Sequence, residues 1–529
     1  MVISADARPV VRPDLGFIEV DPQVIVVVDP ETGRRFFLDG VQAALLQSLD
    51  GSRSLEEVAA EILEDPEAVE AVAEFVEKFD GLALLVSDRD RQARQRRQLD
   101  ALRRQATAKR DEALGKTVRW AAQTIPFFRE RIGARADDVH TLEDLAPLPT
   151  MDRQDLREHT RGSLLEEGTG LDELLAAGKA RLLPTSGETG PSVEALQDTA
   201  RMHPPLTFSG MWPLLRPGFV LRSVVFTTPH MMGEASREGT SYEERLEPGG
   251  EGLKLPHAHH VGRLTRPEAE HILEEWQRHE PEVLRCDPAY AVMLVRALRR
   301  HRLPIPRVAA VWAFHEYCSV LHRPLLEEAF GTTPCVVYSP VELNSGICAV
   351  QCPTGRFHVQ QDRFVFEFVR QGRPVVAGEL GEIVATTLAT RYTAFLRYRL
   401  RDLARPIAEP CGCPEGHRPA FWLEGRIEDC VTDLEGRLVT TRAIDELFAG
   451  RRGIDHYELL QGADRTYALR TLTREGADPF QTREILDRAR ALLGAKSQIR
   501  LERVEELVPR PSGKFRLTAS AAWSPPAIW

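Results

Sequence analysis

At 529 residues the chain is too long to form a single hydrophobic core, and its length predicts two or three domains. Hydrophobic residues make up 43% and charged residues 28% of the chain, which is typical of a globular protein and excludes a disordered one. With 68 Lys and Arg against 79 Asp and Glu, the formal net charge of −11 argues against general nucleic-acid binding. The amino terminus lacks a signal-peptide pattern and no apolar run could span a bilayer, so we expect a cytoplasmic protein without membrane contact.

The first segment of the chain, residues 14–88, has the pattern of a small independent domain. It begins with three strand-like runs: Phe17–Val20, Val24–Val28 and Arg34–Leu38. Pro30 and Gly33 between the last two runs predict a hairpin turn. Three helical patterns follow, and the second starts at Ser54 with Glu57 three residues on, which is a capping box. Three strands followed by three helices predict a compact unit of winged-helix size.

The rest of the chain divides into three further segments. Residues 89–110 are strongly basic and predict a solvated helical linker, with a basic ridge that holds an acidic partner as the alternative. Residues 111–424 mix helical and strand patterns and predict a large α/β domain, and residues 425–525 predict a smaller one.

A loop rich in Ser, Thr and Gly, PTSGETGPS, is the first candidate site. Its glycines let the backbone approach a polyphosphate and its hydroxyl groups offer donors, although such a loop by itself is more typical of a plain turn. It is not a Walker A loop, because no Gly-Lys-Ser/Thr follows. The residues concerned are Thr185, Ser186, Gly187, Thr189 and Gly190.

Further candidates lie at the ends of strand-like runs. Tyr338 can stack on an adenine ring, and Glu342 can hold a metal that bridges phosphates, although the pair could equally be a core and a surface residue. Asp402 and Arg426 could converge on a ribose diol or form a surface ion pair. Lys514 follows a flexible Ser-Gly near the end of the chain.

The order of these motifs resembles that of the adenylate-forming superfamily, and within it the phenylacetate–CoA ligase family, over about residues 111–520. The resemblance implies a large adenylate-forming domain followed by a small mobile α+β domain, and it implies the use of ATP and Mg²⁺. It also implies roles for single residues. Thr185 to Gly190 hold the phosphates, Tyr338 faces the adenine, Glu342 binds magnesium, Asp402 and Arg426 hold the ribose, Asp429 is the hinge, and Lys514 bridges the carboxylate and the α-phosphate.

Three features depart from the family pattern. Glu188 places a negative charge beside a polyphosphate, which weakens ATP binding unless a cation compensates. The Tyr338–Glu342 segment lacks the usual glycine and hydroxyl residue, and Phe314–Glu316 replaces a small-residue–Glu step, so a reshaped adenine pocket is expected. Candidates for the acyl pocket, chosen by position alone, are His230, His257 and Tyr290.

Cysteine and histidine residues cluster in two short stretches that can supply a tetrahedral Cys3His zinc site. Some relatives in the phenylacetate–CoA ligase family carry a structural zinc at matching positions, and four free thiols are the alternative. The expected ligands are Cys352, His358, Cys411 and Cys413, with Cys348 and His417 as substitutes.

The segment 14–88 resembles PqqD-like domains, the recognition elements for leaders of ribosomal precursor peptides. The resemblance implies that a leader adds as a strand against the third strand and the last helix, Glu67–Phe79. A winged-helix module for dimerisation or packing is the alternative. The peptide-binding residues would be Arg34, Arg35, Phe36, Phe37 and Leu38.

These features predict ATP-dependent carboxylate activation in a peptide-tailoring pathway. The expected partners are a precursor peptide and either a small carboxylic acid or a peptide carboxylate, with CoA or an amine as acceptor. The alternatives are an aryl-acid–CoA ligase with an accessory domain, and a non-catalytic scaffold that only binds the leader. The sequence leaves open the acid, the acceptor and whether the chain forms a homodimer.

Overall fold

The computed structural model describes residues 7–12, 14–21, 24–30, 35–65, 67–82, 84–86, 88–159, 161–184, 194–201, 221–233, 239–256, 261–343, 347–474 and 479–524. The chain divides into two compact units, Met1–Gln105 and Ala106–Trp529. Within the described ranges, no helix has both the length and the apolar character needed to cross a membrane.

The first unit consists of a three-stranded antiparallel sheet followed by three helices, the order that the sequence predicts. The capping box predicted for the second helix is confirmed, because Ser54 accepts from the backbone of Glu57 and the Glu57 side chain accepts in return. The elements are β1 (Gly16–Asp21), β2 (Val24–Val28), β3 (Arg35–Asp39), α1 (Gly40–Ser48), α2 (Leu55–Ile62) and α3 (Val69–Gly81).

One face of this sheet packs on the helices, and the other bears exposed apolar side chains. Val27 and Leu38 lie in the core with Leu46 and Phe79. Because successive strand residues point to opposite faces, Phe37 points away from this core, and 71% of its side chain is exposed. Strand β3 lies at the edge of the sheet, and among the described residues it pairs only with β2.

The helices of the remaining chain begin with a long one that covers the segment predicted to be a helical linker. They are α4 (Asp88–Thr124), α5 (Pro126–Arg131), α6 (Leu142–Leu145), α7 (Arg153–Glu158), α8 (Leu171–Ala176), α9 (Pro229–Met232), α10 (Arg266–His279), α11 (Pro288–Arg300), α12 (His322–Phe330), α13 (Thr441–Asp445) and α14 (Pro479–Leu493).

The strands of the second unit form a large sheet, a smaller sheet and two short hairpins. They are β4 (Ala180–Pro184), β5 (Glu194–Asp198), β6 (Ser223–Phe226), β7 (Gly252–Lys254), β8 (Val283–Cys286), β9 (Ala310–Ala313), β10 (Cys335–Tyr338), β11 (Ala349–Gln351), β12 (Phe357–Val359), β13 (Phe364–Arg370), β14 (Arg373–Pro374), β15 (Gly381–Thr387), β16 (Tyr398–Ile407), β17 (Ala420–Arg426), β18 (Val431–Thr432), β19 (Leu438–Val439), β20 (Ile454–Gln461), β21 (Tyr467–Thr473), β22 (Ile499–Val504) and β23 (Thr518–Ser520).

The large sheet has twelve strands in the order β14-β13-β15-β16-β17-β12-β11-β10-β9-β8-β6-β7. The half from β10 to β7 is parallel and the half from β14 to β11 is antiparallel. Helix α11 is buried along most of its length beside the parallel half, which agrees with the nearly continuous apolar pattern of its sequence. The change from parallel to antiparallel pairing occurs at β10, whose last residue is Tyr338.

The last segment forms a four-stranded sheet, β22-β21-β20-β23, with α14 packed on it. Its core includes Leu321, which immediately precedes α12. The fully buried Asp445 accepts hydrogen bonds from Ser319 Oγ at 2.5 Å and from the Val320 backbone N–H at 2.8 Å. Burial raises the pKa of Asp445 to about 7. The segment is therefore docked on the loop before α12 through both apolar and polar contacts.

Candidate active site and metal cluster

A cleft with a volume of about 660 Å³ opens in the second unit, and residues from four separate motifs line it. Tyr338 ends a parallel strand, and ligands of such sheets commonly bind beyond the carboxyl ends of the strands. The lining includes Tyr338, Glu342, Asp402, Arg426 and Lys514. The structure thus brings together side chains that are spread over more than a third of the sequence.

Tyr338, Asp402 and Arg426 form a connected group at one wall of the cleft. Asp402 and Arg426 are paired directly across β16 and β17, and Arg426 Nε lies 3.7 Å from Asp402 Oδ1. The Tyr338 hydroxyl donates to Asp402 Oδ2 at 2.5 Å. Burial raises the pKa of Asp402 to about 6, although Arg426 and the Tyr338 hydrogen bond both act to lower it. Burial and the neighbouring Asp402 likewise raise the pKa of Tyr338 well above its ordinary value.

Glu342 lies in a short turn after β10 and is held by a cation from a distant part of the sequence. Arg153 Nη2, at the first residue of α7, donates to Glu342 Oε1 at 2.9 Å. Both side chains are largely buried. A metal ion that binds Glu342 would therefore bind a carboxylate that is already paired with Arg153.

The turn that carries Lys514 is anchored on both sides. The backbone N–H of Phe515 donates to Glu316 Oε1 at 2.8 Å, and the Tyr290 hydroxyl donates to the Gly513 carbonyl at 2.7 Å. Gly513 has φ +84, and a Cβ at this position would lie 2.9 Å from Thr228 Cβ, so glycine suits both the backbone and the close approach. These contacts hold Lys514 at the cleft.

Asp429 is bonded to the same carboxyl-terminal stretch. Arg516 Nε lies 3.1 Å from Asp429 Oδ1, and the Thr518 hydroxyl donates to the Asp429 carbonyl at 2.6 Å. Asp429 ends the short turn that follows β17, near the start of the last segment of the chain. A residue at this junction therefore contacts the turn that carries Lys514.

No family model matches the chain. The chain is 25% identical over 394 residues to the phenylacetate-coenzyme A ligase of Thermus thermophilus. The matched region covers 72% of this chain and 83% of that enzyme. The enzyme of the same name from Pseudomonas putida is 23% identical over 382 residues, with 66% and 78% of the two chains covered.

The fold is similar to that of 2-hydroxyisobutyryl-CoA ligase, solved in the postadenylation state with an acyl-AMP. The TM-score is 0.58 at 18% identity, and the match covers 78% of this chain and 88% of that one. The chain is an AMP-forming ligase. Its large mixed sheet resembles that of adenylate-forming ligase structures.

Some of the side chains predicted for the ligase lie outside the described residues. The loop residues Thr185, Ser186, Gly187, Thr189 and Gly190 are among them, as are Arg34 and His257 and the side chain of His230. The strands that flank the loop, β4 and β5, pair with each other as an antiparallel hairpin. Tyr290, an acyl-pocket candidate, contacts the Lys514 turn through its hydroxyl group.

Three residues of the ligase cleft were missed from the sequence. Arg153 stands in a capping-box helix start, a pattern that says nothing about a partner 189 positions away. Arg516 follows the Ser-Gly-Lys motif and reads as one more exposed cation. His315 stands out in the sequence only as a departure from the family pattern, and spacing does not reveal its partner Asp287.

The four predicted zinc ligands come together near the cleft of the ligase. The ligand atoms of Cys352, His358, Cys411 and Cys413 all lie within 4.8 Å of one another. Cys352 Sγ is 3.8 Å from Cys411 Sγ, and Cys413 Sγ is 3.3 Å from His358 Nε2. Zn–S bonds of about 2.3 Å in a tetrahedral site place two sulfur atoms about 3.8 Å apart. The donor set and its spacing therefore fit zinc.

The cluster is also chemically suited to a cation. Hydrogen bonds from Cys413 and from His358 lower the pKa of the Cys352 thiol, and the thiolate is the form that binds metals. Cys352 and His358 are completely buried. The group of four includes neither Cys348 nor His417, the substitutes that the sequence left open.

Proposed function

We propose that this ligase uses ATP to activate a carboxylate as an acyl-adenylate during the tailoring of a ribosomally made peptide. The observation that carries the proposal is the convergence of Tyr338, Glu342, Asp402, Arg426 and Lys514 on one cleft. Attack of a carboxylate on the α-phosphate brings two anions together and therefore needs cations at the reacting centre. Lys514, on a turn held at the cleft, supplies one.

The nucleotide would lie along the wall formed by Tyr338, Asp402 and Arg426. Tyr338 would face the adenine, and the carboxylate of Asp402 with the guanidinium of Arg426 would hold the ribose hydroxyl groups. The 3.7 Å separation of Asp402 and Arg426 supports this role, because a diol can accept from one group while donating to the other.

The phosphates would lie between the loop Thr185–Gly190 and Glu342. Glu342 would bind Mg²⁺ together with phosphate oxygens, and Arg153 would balance charge beside it. Glu188 in the loop adds a negative charge, which a bound metal ion would offset. Asp429 would be the hinge about which the last segment moves between the two half-reactions.

A coenzyme A ligase acting on an aryl acid is the second candidate, and the names of the two relatives favour it. The two proposals differ in the acceptor. Product formation from CoA and an aryl acid alone would support the second candidate. Product formation that requires a precursor peptide would support the first.

The first unit would bind the leader of the precursor peptide as an added strand at β3. An unpaired strand edge offers backbone donors and acceptors, and neighbouring side chains select the sequence. Arg35 and Phe37 are exposed, whereas the Leu38 side chain is 4% exposed in the core and could contribute only its backbone. Phe36 is partly buried between these extremes.

The metal cluster would hold a structural zinc ion. Cys352, His358, Cys411 and Cys413 would fill a tetrahedral coordination sphere, which leaves no open position for a substrate. The ion would join β12 to the loop between β16 and β17. We therefore assign the cluster to stability and not to the chemical step.

Pyrophosphate exchange with a panel of carboxylic acids tests the catalytic proposal. We expect exchange in the unmodified chain and a loss of about a hundredfold or more in Lys514→Ala. Lys496→Ala is the matched control, because Lys496 is an exposed lysine of the same carboxyl-terminal segment. Equal exchange in both variants contradicts the role of Lys514, and no exchange with any acid favours the scaffold alternative.

Peptide binding is tested with the full chain and synthetic leader peptides of small open reading frames that neighbour the gene. We expect Phe37→Asp to abolish a shift in fluorescence anisotropy that Val376→Asp leaves intact. Val376 is 67% exposed in the second unit, so it controls for the loss of a surface apolar group. Binding that survives Phe37→Asp, or binding to no peptide, contradicts the proposal.

A further inference from the structure

A buried carboxylate holds a histidine at the edge of the cleft. Asp287 follows β8 at the start of α11, and its side chain is completely buried. An aspartate at this position usually caps the helix, but the Asp287 side chain makes no such hydrogen bond. Its Oδ1 lies 2.8 Å from Nδ1 of His315 instead. The carboxylate is therefore used to hold the imidazole.

The other oxygen of Asp287 fixes the orientation of the carboxylate. Asp287 Oδ2 accepts from the Thr227 hydroxyl at 2.9 Å and from the Thr228 backbone N–H at 3.1 Å. An ionised carboxylate can only accept, so Nδ1 of His315 carries the proton. Nε2 of His315 is then the unprotonated nitrogen of the neutral ring. This arrangement prepares Nε2 to accept a proton.

The backbone of His315 is held in an unfavourable conformation. Its φ is +65, in the left-handed region that residues other than glycine rarely adopt. Such conformations persist where the surrounding structure holds them, and here the contact with Asp287 holds the side chain. Side-chain exposure of 17% and a place in the lining of the cleft leave the ring accessible from that side.

The pair lies next to the turn that carries Lys514. Glu316, which follows His315, accepts from the backbone N–H of Phe515, which follows Lys514. Thr228, which donates to Asp287, also packs against Gly513, where an added Cβ would lie 2.9 Å from Thr228 Cβ. His315 and Lys514 thus line the same cleft and are joined through their immediate neighbours.

We propose that His315 is the general base of the acyl-transfer step, with Asp287 as the residue that positions it. This inference rests on the proposed function. As the thiol or amine of the acceptor attacks the acyl carbon, Nε2 takes the proton from the attacking atom. The new C–S or C–N bond forms, the bond between the acyl carbon and the phosphate oxygen breaks, and AMP leaves with the electron pair. The proton then passes from Nε2 to solvent.

Separate measurements of adenylate formation and acyl transfer distinguish this catalytic role of His315 from a structural one. Pyrophosphate exchange reports on adenylate formation, which needs no base in this scheme. Acyl transfer is measured as AMP release from the preformed acyl-adenylate, with CoA and, separately, hydroxylamine as the acceptor. Hydroxylamine is small enough to need no binding site of its own. General-base catalysis typically contributes a factor of about 10² to 10⁴.

His315→Asn is the informative variant, because the amide N–H of asparagine takes the place of Nδ1–H and keeps the contact with Asp287 while no base remains. We expect His315→Asn and His315→Ala to slow transfer by at least about a hundredfold. Pyrophosphate exchange should fall far less than acyl transfer does, and added imidazole should restore transfer in His315→Ala. Asp287→Asn should slow transfer to a smaller extent.

Other outcomes overturn the inference. Normal transfer in His315→Asn would assign the pair to structure, and a parallel loss of exchange and transfer would assign His315 to substrate binding. Absence of exchange in the unmodified chain with every acid contradicts the proposed function and this inference together. Exchange without any effect of His315 on transfer contradicts the inference alone.

Discussion

The guanidinium group of Arg153 donates to the carboxylate of Glu342 at 2.9 Å, although the two residues are 189 positions apart. Only 25% and 13% of the two side chains are exposed, so water screens the pair weakly. The carboxylate that the sequence predicts to bind magnesium is therefore neutralised before any nucleotide enters. Charge balance at this point of the cleft depends on both residues.

A double-mutant cycle measures this dependence. Arg153→Ala should lower the free energy of unfolding by about 1–3 kcal/mol, because it leaves a largely buried carboxylate without its partner. Glu342→Gln in the same background should recover part of the loss. Thermal unfolding with and without Mg²⁺ is the measurement, and Mg²⁺ should stabilise Arg153→Ala more than the unmodified chain. A Mg²⁺ effect that persists in the double variant would exclude Glu342 as the ligand.

The pH dependence of nucleotide binding should follow Asp402. Its pKa is raised to about 6 by burial, so the carboxyl group is largely protonated in acid and ionised at neutral pH. An ionised group is the better acceptor for ribose hydroxyl groups, so the affinity for ATP should increase about tenfold between about pH 5 and pH 7.5. Titration calorimetry at several pH values measures the slope.

Asp402→Asn provides the control for that slope, since ATP itself also titrates in this range. The variant should bind ATP weakly and lose the part of the pH dependence that Asp402 causes. The free energy of unfolding should change with pH in the opposite direction to the ATP affinity. A carboxyl group whose pKa is raised in the folded state stabilises that state when protonated, and this contribution is lost as the pH rises through about 6. Identical slopes in the two proteins would contradict the assignment.

The local elements follow from the sequence, whereas long-range pairing does not. Periodicity and capping residues predict β2 and the start of α2 at Ser54, because these signals lie within a few neighbouring residues. The order of the twelve-stranded sheet depends on crossovers between distant strands, and no local pattern encodes it. Convergence of Asp402 with Arg426 could be predicted from the resemblance of motif order, whereas spacing alone favours a surface ion pair.

The residues that were missed share one physical property: their roles depend on partners from other elements. His315 is a functional candidate only because Asp287, at the end of a neighbouring parallel strand, fails to cap its own helix. The left-handed backbone of His315 is likewise invisible in sequence, since histidine is not a residue that predicts a positive φ. Arg153 becomes part of the site through a contact between elements that are remote along the chain.

Removal of the metal should reduce stability more than it changes the chemistry at the cleft. We expect about one zinc per chain by elemental analysis, and loss of that zinc in Cys411→Ser. Thermal stability should fall, because the proposed ion would join β12 to the loop between β16 and β17. Cys335→Ala is the control, since Cys335 is buried but does not belong to the cluster. Full zinc content in Cys411→Ser would contradict the site.

The ion pair between Asp429 and Arg516 should hold the carboxyl-terminal segment in the arrangement that presents Lys514. The two side chains are only 15% and 16% exposed, and Arg516 lies two residues after Lys514. Arg516→Ala should therefore loosen the turn and reduce pyrophosphate exchange by about tenfold, which corresponds to about 1.4 kcal/mol. Affinity for ATP should change little, because Tyr338, Asp402 and Arg426 keep their places.

Limited proteolysis supplies an independent readout of the same change. Arg437 is exposed and lies just after the junction, so trypsin should cleave there faster once the segment is released. Arg500→Ala is the matched control, because its side chain is 73% exposed in the same segment and its ion pair with Glu502 does not involve the junction. If Arg516→Ala and Arg500→Ala behave alike in exchange and in proteolysis, the ion pair does not control the segment. A second outcome is that pyrophosphate exchange falls in Arg516→Ala while tryptic cleavage at Arg437 is unchanged. Arg516 would then act on the reacting groups directly, and the ion pair would not control movement at Asp429.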